Sequence, residues 1–118
     1  MNPRILLPLF HILFVVPVFL YVAISRAGTA IPMYYALLIL AALIFIYHGY
    51  RAFTRMQDGS PYVWVNLMHL MVIAPLLAYI GLRERTTPRA AYELLALLGF
   101  AALGYNLMNI VKYSMVSI

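Results

Sequence analysis

The sequence predicts an all-α protein, a bundle of four transmembrane helices running up-down-up-down. Three observations predict it. Of 118 residues, 66% are hydrophobic and 9% charged, far below the roughly 25% charged that is ordinary for a soluble domain. Four apolar stretches each approach the about 20 residues that a helix needs to cross the hydrocarbon core. Short polar turns separate them, and connections that short make sequence neighbours antiparallel. The four spans use almost the whole chain, so residues 1–118 read as a single multi-pass integral membrane domain.

The first helix is expected over residues 5–25. Its apolar run exceeds the about 7 to 15 residues of a signal-peptide core, and Pro8 and Pro17 within it predict a kink. The second is expected over 33–55, started by Pro32 and ended near Arg51 and Arg55, before the turn Gln57, Asp58, Gly59, Ser60, Pro61. The third, over 62–82, carries Trp64 near one interface, Tyr79 near the other and Pro75 inside. A polar turn from Arg83 to Pro88 leads into the fourth helix, over 89–113.

The chain has no cysteine, which removes disulfides, thiolate metal sites and a cysteine nucleophile. Its formal net charge is +5, with the basic residues at helix ends. That distribution fits anchors attracted to anionic headgroups and not contacts to nucleic acid. Arg51, Arg55 and Lys112 together are candidates for snorkelling anchors or for holding a lipid phosphate. Arg4, Arg51, Arg55 and Lys112 fall on one side and Arg26, Arg83, Arg85 and Arg89 on the other, so the positive-inside rule returns a tie. The ten tyrosines gather mostly near helix ends, as an aromatic belt does.

The chemistry-bearing feature is a polar layer. Counting outward from each turn at about 1.5 Å per residue, His48 comes opposite His69, His11 opposite Tyr47 and His48, and Tyr105 and Asn106 close to the level of His69. By helical phase His69 shares a face with Asn66, and His48 shares one with Arg51 and Arg55. In the fourth helix Ala96, Gly99, Ala102, Asn106, Asn109 and Tyr113 keep the three-and-four spacing of a packed seam.

His48, His69, His11, Asn106, Asn66 and Tyr105 therefore form the candidate site. One reading is interhelical hydrogen bonding in a structural or accessory membrane protein, worth about 0.6 to 2 kcal/mol per contact. A second is a haem or divalent-metal site, with His11 and His69 the better-spaced pair for haem. A third is a proton or ion path, which requires an oligomer because Leu37 to Ile44 and Leu94 to Leu98 contain no ionisable group. Glu93 and Arg89, four residues apart, read as an interfacial ion pair. The three acids, Asp58, Glu84 and Glu93, lie in turns or at helix ends, which leaves no carboxylate pair for catalysis. No enzymatic activity is expected. The expected partners are the bilayer and further copies of the chain or the other subunits of a membrane complex.

The runs Ala74, Pro75, Leu76, Leu77, Ala78, Tyr79, Ile80, Gly81 and Pro88, Arg89, Ala90, Ala91, Tyr92, Glu93, with Gly99 to Tyr105 beyond, resemble small uncharacterised membrane proteins of large DNA viruses of algae and protists. The resemblance covers the third and fourth helices and implies a host or virion membrane, with no functional residues to carry over.

Overall fold

The computed structural model describes residues 3–116, which are helical with no strand among them. Four helices are long and apolar enough to cross a membrane: α1 (Pro3–Gly28), α2 (Ile31–Gln57), α3 (Val63–Thr86) and α4 (Arg89–Met115). They coincide with the four expected spans, each running a few residues beyond the expected C-terminal end. In α1 and α3 the extra length is a last turn, Arg26–Gly28 and Glu84–Thr86, that tightens to 3-10 geometry.

The chain divides into two compact units. Unit 1 packs α1 against α4, and unit 2 packs α2 against α3. In unit 1 the Arg4 guanidinium lies 5.9 Å from the centre of the Tyr113 ring, while further along Leu20 meets Gly99. In unit 2 Arg55 reaches the Tyr62 carbonyl, while further along Leu38 meets Gly81. Within each unit the two helices are therefore antiparallel.

Prolines explain the local geometry of α1 and α3. A proline inside a helix has no N–H to donate, and its ring collides with the carbonyl four residues back. In α1 the collision is avoided by a wider π turn at His11–Val15, just before Pro17, where the Val16 N–H bonds to the His11 carbonyl. In α3 the same device appears at His69–Ile73, before Pro75, with the Ala74 N–H on the His69 carbonyl. The helices continue through both sites, so the expected proline kink takes the form of a π turn.

Each unit buries its own stripe. Phe19, Val22, Tyr92 and Leu95 are buried in unit 1; Tyr34, Leu37, Leu77 and Ile80 are buried in unit 2. The outward residues are just as apolar: Leu13, Ile24, Ile46 and Leu82 are each at least 70% exposed. In water such surface would drive aggregation, whereas hydrocarbon solvates it without penalty. The chain is accordingly described as a polytopic membrane protein.

Candidate functional site

The polar groups that meet lie in unit 2. Arg55, two helical turns beyond His48 on α2, and Asn66 and His69, three residues apart on α3, occupy the facing surfaces of the two helices. Arg55 Nη1 donates to Asn66 Oδ1 at 2.8 Å and lies 3.4 Å from the Tyr62 carbonyl oxygen. Asn66, 2% exposed, turns its amide nitrogen to His48 Nδ1 at 2.8 Å. The His48 ring stacks on that of His69, with centroids 3.9 Å apart and planes 12° from parallel. His69 Nδ1 in turn sits 2.7 Å from the Val65 carbonyl oxygen, one turn back on its own helix.

The donors in this chain follow from the ends. A guanidinium can only donate, so the Asn66 group facing Arg55 is its oxygen, and the group facing His48 is its NH₂. His48 Nδ1 must then accept, which places the His48 proton on Nε2. A backbone carbonyl can only accept, so His69 carries its proton on Nδ1. The two stacked rings are thus opposite tautomers. Parallel rings at this separation direct their in-plane lone pairs side by side, so the pair does not converge on one metal ion.

The remaining candidates lie in unit 1. His11 is half-buried and its Nδ1 donates to the Leu7 carbonyl at 2.8 Å, again one turn back. Its ring meets Phe10 edge-on, with centroids 5.8 Å apart. Asn106 is buried and its Nδ2 donates to the Ala102 carbonyl at 2.7 Å, within α4. Tyr105 is 37% exposed. Among the described residues no group of three or more His, Cys, Asp or Glu could hold a metal ion.

Of the expected anchors, Arg51 is half-buried and Lys112 exposed, and Arg55 is engaged by Asn66. Sequence reasoning placed Arg55 on the face of His48 but assigned it only an anchoring role at the interface, and so missed it as a member of the polar chain. Arg89 and Glu93 pair at 2.6 Å on a largely exposed surface, where an ion pair contributes little. A groove between α2 and α3, lined by residues that include Leu38, Ala41, Ala42, Ala74 and Ala78, offers no side chain capable of chemistry.

No family model, curated protein or solved structure shows significant similarity to the chain.

Proposed function

We propose that the protein is a non-enzymatic, structural or accessory component of a membrane, whose polar chain Arg55–Asn66–His48 locks α2 to α3, and that it works as an oligomer or as a subunit of a larger membrane complex. The observation that carries this reading is Asn66. Both ends of its buried amide are used between the two helices, oxygen to Arg55 and nitrogen to His48. A polar group consumed in this way holds helices together where lipid supplies no hydrophobic drive. An up-down-up-down passage through the bilayer completes the proposal. The test is thermal unfolding of detergent-purified Asn66→Leu, His48→Ala and His69→Ala: a lowered melting temperature with unchanged oligomeric state supports helix locking, and three unshifted melts reject it.

A second reading, ligation of haem or a divalent metal, has one specific observation in its favour. Taken by itself, each unit has one histidine, His11 or His69, that donates Nδ1–H to the backbone carbonyl four residues back, which puts the lone pair on Nε2 and fixes the ring as the outer partners of metal-bound histidines do. Purified protein with a Soret band that is lost in His69→Ala would favour it. Colourless, metal-free protein would end it.

A further inference from the structure

We infer that the chain is a tandem duplication of one two-helix hairpin, α1–α2 repeated as α3–α4 at a constant spacing of 58 residues, and that His11 and Asn106 of unit 1 therefore occupy the positions equivalent to His69 and His48 of unit 2. At that spacing His11 matches His69, Pro17 matches Pro75, Tyr21 matches Tyr79, Thr29 matches Thr87, Tyr34 matches Tyr92 and Tyr47 matches Tyr105. Apolar residues recur by chance in membrane helices. Three kinds of structural agreement are independent of that.

The first is backbone geometry. The π turns begin at His11 and at His69. The only positive-φ residues besides glycine among those described are Arg26 and Glu84, at φ 50 and ψ −126 and at φ 50 and ψ −125. Their N–H groups bond to the carbonyls of Val22 and Ile80, again equivalent. Two unrelated hairpins have no reason to place two rare conformations at matching positions.

The second agreement is compensation of size. Gly81 meets Leu38 in unit 2, and the equivalent positions in unit 1 hold Ala23 and Ala96. Gly99 meets Leu20 in unit 1, and the equivalent positions in unit 2 hold Ala41 and Ala78. Each glycine–leucine contact is thus replaced, in the other unit, by alanine at both positions. The third is the placing of an arginine and a tyrosine together at the same end of each pair. Arg4 lies over the Tyr113 ring in unit 1, and at the equivalent positions of unit 2 Arg55 reaches the Tyr62 backbone carbonyl, the same two residue types with their helices interchanged.

Each unit pairs the first helix of one repeat with the second helix of the other. In that scheme the residue matching His48 is Asn106, and α4 packs on the π turn that His11 opens. Asn106 thus takes the position that an imidazole takes in unit 2. The inference concerns this equivalence and stands whether or not the polar chain of unit 2 has the locking role proposed above.

Two experiments on the full chain test it, both read by melting in detergent. In the first the repeats are transposed: the chain begins at Gly59 and ends at Asp58, with residue 116 joined to Pro3 through Gly-Ser, the spacer that Gly59 and Ser60 supply between Asp58 and Pro61. The transposed protein is expected to melt within about 5 °C of the parent. In the second, each repeat receives the other's residue: His48→Asn and Asn106→His are expected to be tolerated, whereas His48→Leu and Asn106→Leu lower the melting temperature by more than about 5 °C. If the transposed chain fails to fold, the exchanges decide alone. Exchanges as damaging as the leucine variants overturn the inference.

Discussion

Units 1 and 2 use the same plan and fill it differently. Both pair a helix that carries a histidine, a π turn and a proline with a long uninterrupted partner. Unit 2 joins its helices through Arg55, Asn66 and His48, while the matching positions of unit 1 hold Tyr113, Pro8 and Asn106. Since unit 1 forms the same antiparallel pair with other residues at those positions, the Arg55–Asn66–His48 chain is not required for the pairing. Interlocking of a glycine with a leucine occurs in both units, and the chain in unit 2 is an addition to it. The difference separates two kinds of interaction that are usually confounded in membrane helices: shape, shared by both units, and this particular polar chain, found in one.

The sharpest way to break this comparison is to remove the addition. Asn66→Leu leaves the Arg55 guanidinium and His48 Nδ1 without their shared amide. It is expected to destabilise the protein by about 2 to 4.5 kcal/mol, the range for a lost hydrogen bond to a charged group plus one to a neutral group, measured by thermal or denaturant unfolding in detergent. The equivalent change in unit 1, Pro8→Leu, touches no such network and is expected to cost less. An equal loss in both would mean that polarity is not special to unit 2.

Shape is tested at the glycines. A methyl group at Gly81 would stand 2.7 Å from Leu38 Cγ and 2.9 Å from the Tyr34 carbonyl oxygen. Because the Leu38 side chain and the Tyr34 backbone are both in the way, Gly81→Ala is expected to cost about 2 kcal/mol, and adding Leu38→Ala, which recreates the alanines of unit 1, should recover the side-chain share of it. Gly99→Ala meets Leu20 Cδ2 at 2.9 Å, the movable end of a side chain, so the expected cost is smaller, about 1 kcal/mol. No rescue by the paired alanine in either case would remove size compensation from the account.

The smallest effect has the opposite sign. Arg26 and Glu84 occupy a positive-φ conformation that glycine adopts without strain. Arg26→Gly and Glu84→Gly are each expected to be stabilising by up to about 1 kcal/mol, since relief of strain exceeds the added freedom of the unfolded chain. Matching gains at the two positions would sharpen the equivalence of the units. A gain at one and a loss at the other would point to a side-chain contact that outweighs the backbone term.

The four spans were legible in the sequence because length and hydropathy constrain a membrane helix more tightly than any other element. The pairing of His48 with His69 was also legible, since both lie nearly equidistant from the turn at Asp58 and Gly59 and that turn fixes their depth. Asn66 followed from its phase with His69. Arg55 did not, because a guanidinium at a helix end reads as an anchor while its long stem allows it to turn back into the helix pair. The division into α1 with α4 and α2 with α3 was not legible either: periodicity identifies a face but not which helix covers it. The repeat is hidden in the sequence for a related reason. Substitution of one aliphatic residue for another leaves hydropathy unchanged, and only the sparse His, Pro, Thr and Tyr positions preserve the spacing.

The π turns have one further consequence. A turn of π helix takes up about one residue more than a turn of α helix, so each is in effect a one-residue insertion absorbed inside a membrane span. Side chains on either side of His69–Ile73 no longer share one helical wheel. A wheel drawn at constant angle through α3 rotates everything from Ala74 onward by about 100° relative to Asn66.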